Sequence, residues 1–188
     1  MTVEAARRAP APATALAGVL LVGAGVAIAV GVYSRTHTPA GRPLFTVGFS
    51  GMLQMKTWLA TAAIALLVVQ LVTALWMWGR LPGGRSAPAW AAGVHRGSGA
   101  VAFVLTLPPA FHCMWALGFG AGSTRVVLHG LAGCAFYGAY AAKMLGIRVS
   151  GLPDRAVPWL GASVLTTLVV VWLTSAVWFF TRSSLPLT

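Results

Sequence analysis

Apolar residues fall in five long runs separated by short polar connections rich in Gly, Pro and Arg. The runs cover about Thr14–Tyr33, Thr57–Trp78, Val94–Phe119, Val126–Leu145 and Trp159–Phe180. Each is near the roughly 20 residues that an α-helix needs to cross a bilayer. The first ends at YSRTHTPAGRP, whose Pro and Gly stop a helix, and a weakly amphipathic piece, FTVGFSGMLQMK, leads into the second. GRLPGGRSAPA is turn chemistry, Pro108 and Pro109 kink the third run, and the short GAGSTR loop joins it to the fourth. GIRVSGLPDRAVP leads to the fifth. The pattern predicts an all-α, polytopic transmembrane helix bundle of five spans. It forms a single unit over residues 14–181, between a polar amino terminus (1–13) and a short tail (182–188).

Composition agrees. Of 188 residues, 58% are hydrophobic and 8% charged, where a soluble domain carries about a quarter charged. The first run exceeds the usual 7–15 residues of a signal-peptide core, so it reads as an anchored helix. The net charge of +11 does not indicate a nucleic-acid partner, because the basic residues are scattered singly in the connections, beside lipid headgroups. One side collects Arg7, Arg8, Arg80, Arg85, Arg96, Lys143, Arg148 and Arg155; the other collects Arg35, Arg42, Lys56, Arg125 and Arg182. That excess places the amino terminus in the cytoplasm and the carboxyl terminus outside, in a bacterial cytoplasmic membrane. Trp76, Trp78, Trp90, Trp159 and Trp178 lie near span ends, as an aromatic belt does. The only acidic residues, Glu4 and Asp154, sit outside the apolar runs. With no intramembrane carboxylate, most ion-coupled transport and intramembrane hydrolysis are disfavoured. Cys113 and Cys134 lie within runs and do not form a secreted disulfide framework.

Candidate chemistry centres on histidine. His95, His112 and His129 lie in or at the ends of apolar runs, where an imidazole is costly unless it faces a cavity, a partner or a metal. If spans three and four form an antiparallel hairpin, His112 lies about ten residues before the middle of the GAGSTR turn and His129 about seven after it. At 1.5 Å per residue their depths differ by roughly 4–5 Å. Two imidazoles at one level on neighbouring helices suit axial ligation of a haem b iron. The competing reading has them bonding to carbonyls freed by the proline pair, or to Tyr137. Gly99, Ala116 and Gly133, one turn beyond His95, His112 and His129, would pack the porphyrin or simply let helices approach. Lys56 and Arg125 are placed to hold haem propionates, or to snorkel to the interface. Cys113 and Cys134 come out at comparable depth and are within reach of one another. His95, at the other end of span three, reads as a site for an additional ligand or as an interfacial anchor of its helix. His37 reads as a substitute ligand, a proton-handling group or a solvated loop histidine.

The segments VHRGSGAVAF, FHCMWALGF and LHGLAGCAFYGAYAAKM resemble haem-binding helices of the cytochrome b561-type superfamily. The FHC…RVVLH…GCAFYGAY…KM arrangement also resembles an uncharacterised bacterial family of small polytopic membrane proteins, over about residues 94–147. HRGSG is similar to the quinone-proximal segment of succinate dehydrogenase anchors, a likeness that implies a quinone headgroup lined by His95, Arg96 and Ser98. These likenesses imply electron transfer through haem b, between quinol and a redox protein partner on the outer face. Only His95 lies in the inner layer, where di-haem members carry two ligands. Two other readings stand beside it: a cofactor-free anchor or assembly subunit of a larger redox complex, and a copper- or haem-handling protein using Met52, Met55 and His37.

Overall fold

The structure is a computed structural model describing residues 13–83, 86–149 and 152–182. The basic and acidic residues Glu4, Arg7, Arg8 and Arg85 lie outside them. Among the described residues every regular element is helical: α1 (Ala13–Thr36), α2 (Met52–Met77), α3 (Trp90–His112), α4 (Thr124–Gly146), α5 (Ala156–Trp172) and α6 (Trp178–Arg182). A π-helical turn, Cys113–Leu117, extends α3, and another, Leu173–Val177, joins α5 to α6 in one continuous rod.

Four of these helices are long and apolar enough to cross a membrane: Ala13–Thr36, Met52–Met77, Trp90–Leu117 and Ala156–Arg182. α4 forms where the fourth run predicts and is 23 residues long. Its histidine, two tyrosines, four glycines and Lys143 make it less apolar than the others. α2 starts at Met52, so the second half of the predicted lead-in belongs to the helix. α4 starts at a polar cap, Ser123 Oγ accepting from the Val126 amide.

The helices do not pack in the order the loops suggest. α2 lies along α3, α4 lies between α1 and α5, and α5 touches α2. The expected α3–α4 hairpin, with the two helices as close neighbours, is therefore corrected. Their backbones stay apart and aromatic rings fill the gap, Phe103 stacking on Tyr140 with centroids 3.9 Å apart. The Tyr137 hydroxyl donates to Thr106, whose carbonyl and hydroxyl oxygens both lie 3.0 Å away. Ala63, Leu67, Phe136, Val164 and Leu168, from α2, α4 and α5, form the main core.

α1 instead meets α4 backbone to backbone. A Cβ on Gly23 would stand 2.7 Å from the Gly138 carbonyl oxygen, and one on Gly138 would stand 2.5 Å from that of Gly23. Only glycine at both positions permits this approach.

The α2–α3 seam uses polar residues. The Gln70 amide donates to the His95 carbonyl and, at 2.8 Å, to Ser98 Oγ. Thr73 Oγ1 lies 2.8 Å from His95 Nδ1 and donates its own proton to Val69 O, so the imidazole is the donor. A Cβ on Gly99 would come 3.0 Å from Gln70 Oε1, so this glycine admits the Gln70 side chain. His95, Ser98 and Gly99 thus form a helix-to-helix clamp, and Arg96 is exposed to one side of it.

Candidate functional site

The ends of α1, α3 and α5 and the starts of α2 and α4 make up the distal end of the bundle. There the gap between α3 and α4 opens into a cavity of about 270 Å³. Val30, Ala60, Leu168 and Val171 are among its apolar walls, and Leu53, Leu117 and Trp178, all partly exposed, frame it. Its polar lining includes Lys56, Cys113, Arg125, His129 and Tyr137. Both π-helical turns contribute lining residues, Cys113, Met114 and Leu117 from one and Ser175 from the other. Such turns inside helices recur at functional sites. Neither was legible in the sequence, although the first follows directly on Pro108 and Pro109.

α4 and α5 fix the orientation of His129. Thr174 Oγ1 donates to Val170 O at 2.7 Å, so at 3.2 Å from His129 Nδ1 it accepts the imidazole proton. His129 Nε2 then carries the lone pair, and Cys113 Sγ lies 3.7 Å from it, within reach of an S–H···N bond. The Lys56 side chain reaches the same sulfur. Arg125 is already engaged: Nη1 donates to the Thr174 carbonyl, and the guanidinium lies 3.9 Å over the Trp178 ring. Gly133 leaves open space where a Cβ would stand. A thiol, an imidazole lone pair and an ammonium thus converge in an apolar chamber. Asp154, the only carboxylate among the described residues, lies in the α4–α5 connection, away from this chamber.

His112 is elsewhere. It is fully buried at 0% exposure, and does not line the cavity. Its Nδ1 lies 2.9 Å from Pro108 O, and its Nε2 accepts from the Leu44 amide at 3.3 Å. A carbonyl only accepts and an amide N–H only donates, so both ring nitrogens are committed. Phe45 packs edge-on against the ring at 4.6 Å. The pair expected to clamp a haem iron is therefore not brought together: one imidazole faces the cavity and the other ties the α1–α2 connection to α3. As held here these residues do not fit bis-histidine haem b. Ala116 is buried, does not line the cavity, and its carbonyl accepts from the Gly41 amide.

His37 is not a solvated loop residue. It stacks between Tyr33 and Trp115, with centroids 5.2 and 4.7 Å away. Trp115 continues through Phe111 to Phe45, so a ladder of rings seals the distal end beside His112. Cys134 lines the cavity with Cys113, and both thiols are free. Met55 is fully buried, which sets it apart from a loop site shared with His37.

No curated protein and no solved structure gives a significant match to the chain. Residues 16–187, a stretch that takes in nearly all of the helical bundle, match the family of unknown function DUF6529, and the chain therefore belongs to that family.

Proposed function

We propose that this is a bacterial cytoplasmic-membrane protein of the electron-transfer class, which binds a quinone in the distal cavity. One observation carries the reading: Lys56, Cys113 and His129 converge inside an otherwise apolar chamber that no carboxylate lines. An ammonium has three N–H groups, more than one sulfur can take, and in such surroundings the rest call for a ligand with an apolar body and acceptor oxygens at its head. A quinone has both. Its carbonyls would accept from Lys56, and its apolar body would lie along Val30, Ala60 and Leu168. The amino terminus lies in the cytoplasm in this reading, so the cavity opens toward the outer leaflet and an outer-face redox partner. The quinone site thereby moves from the HRGSG segment, whose polar groups the α2–α3 seam consumes, to the far end of α3.

Photolabelling of the purified protein with an azido-quinone tests this. Label on α3 or α4 cavity peptides, displaced by excess unlabelled quinone, is the expected result. Label spread over lipid-facing surfaces with no displacement would refute it and leave the cofactor-free anchor. A split α band in the dithionite-reduced spectrum, lost in both His112→Ala and His129→Ala, would instead restore the haem assignment.

A further inference from the structure

We infer that Cys113 and His129 form a thiol–imidazole pair that captures uncharged, apolar electrophiles of the α,β-unsaturated carbonyl class. The inference uses the same cavity as the quinone reading without requiring quinone to be its resident.

The pair is set up from outside the cavity. Val170 O takes the Thr174 hydroxyl proton, so Thr174 Oγ1 accepts from His129 Nδ1 and the Nε2 lone pair faces Cys113 Sγ. A hydrogen-bonded neutral imidazole is the general base that activates a thiol in other settings. Lys56 lines the same chamber, so its ammonium is placed to offset negative charge that develops as the thiol reacts. Cys134 provides an internal control: it lines the same cavity but lies against Gly31 of α1, and no hydrogen bond between its thiol and a histidine is found among the described residues.

The reaction is an addition and needs no co-reactant. His129 Nε2 takes the Cys113 proton and the sulfur forms a C–S bond to the β-carbon. The C=C pair moves toward the carbonyl oxygen, whose developing charge Lys56 offsets. The imidazolium then returns its proton to the α-carbon, and nothing leaves. Apolar framing by Leu53, Leu117 and Trp178 selects against charged reagents.

The test uses the full chain in detergent, with N-ethylmaleimide as the uncharged probe and a sulfonated maleimide as the charged one, read by peptide mass spectrometry. Cys113 should label at least about tenfold faster than Cys134 with the uncharged probe, and the charged probe should lose that preference. His129→Gln should slow Cys113 at least about tenfold with Cys134 unchanged, and Lys56→Met should slow it less. Thr174→Val keeps the imidazole but removes its acceptor, and should slow Cys113 if His129→Gln fails to fold. Equal rates at the two cysteines, or a Cys113 rate indifferent to these variants, would overturn the pair. Failure of azido-quinone labelling with these rates intact would overturn only the quinone reading.

Discussion

His112 Nδ1 and the carbonyl of Pro108 lie 2.9 Å apart, one helical turn from each other on α3. Pro109 has no amide proton to offer, and adjacent prolines disturb the hydrogen bonding of a helix from within. The carbonyls those prolines leave without an amide are Val104 and Leu105, one turn back; the His112 imidazole instead adds a bond at the Pro108 carbonyl, while its second nitrogen accepts from the Leu44 amide. His112 is thus a structural tie at the place where α3 passes into a π-helical turn. His112→Ala removes two hydrogen bonds and opens a void in a fully buried site. We expect a loss of about 2–4 kcal/mol, read as a lower thermal midpoint in detergent. An unchanged midpoint would refute the structural role.

Gly133 faces the cavity with open space around its missing Cβ. Gly133→Leu should therefore fill the chamber without clash, and replacing a mid-helix glycine should hold or raise stability by up to about 1 kcal/mol. Azido-quinone labelling should fall sharply. Retained labelling in a stable variant would place the ligand elsewhere.

Gly138→Ala sets two effects of opposite sign against each other. Alanine gains about 1 kcal/mol of helix propensity over glycine. Its Cβ would stand 2.5 Å from the Gly23 carbonyl oxygen, and backbone cannot rotate away as a side chain can. Overpacking of about 1–3 kcal/mol should win, and α1 should separate from α4. A lower unfolding midpoint, with faster proteolysis of the α1–α2 connection, is the expected readout.

Gln70→Leu leaves the shape of the α2–α3 seam but removes both amide hydrogen bonds, to the His95 carbonyl and to Ser98. The cost should be about 1–3 kcal/mol, because partly buried acceptors lose their partner. Quinone labelling should persist. Its loss would return the ligand to the His95 end of α3.

Lys56→Met keeps a long apolar stem at the cavity while removing the ammonium. Quinone affinity should fall by about 1.5–3 kcal/mol, the worth of a charge-assisted hydrogen bond, with little change in stability. A titration of label displacement by unlabelled quinone measures the shift.

Much of the fold was readable because long apolar runs leave the backbone few alternatives. A run of some 20 apolar residues has few ways to satisfy its backbone other than a helix. α1 and the continuous rods Trp90–Leu117 and Ala156–Arg182 therefore form over the predicted runs, with ends that differ by a few residues. Met52 was harder, since Gln54 and Lys56 interrupt the hydropathy at the start of α2 while their backbones are helical. The site was legible in part. Placing His129, Lys56, Arg125 and Gly133 at one end of the bundle needed only the counting of residues along helices, and all four line the cavity. His112 sits near the same level, yet depth says nothing about azimuth. The π-helical turn that begins at Cys113 alters the 100° phase on which any face assignment from sequence relies.

Residue chemistry taken in chain order determined the helices, their approximate ends and the distal gathering of cations, since each depends on neighbours within a turn or on the length of an apolar run. Which helix packs beside which, and which ring faces the chamber, was decided only in three dimensions. The Gly23–Gly138 approach brings α4 to α1, the aromatic rings hold it apart from α3, and Thr174, 45 residues along the chain from His129, aims that imidazole at a thiol. Contacts between residues so far apart in sequence leave no local pattern, because their energy exists only once the bundle has formed.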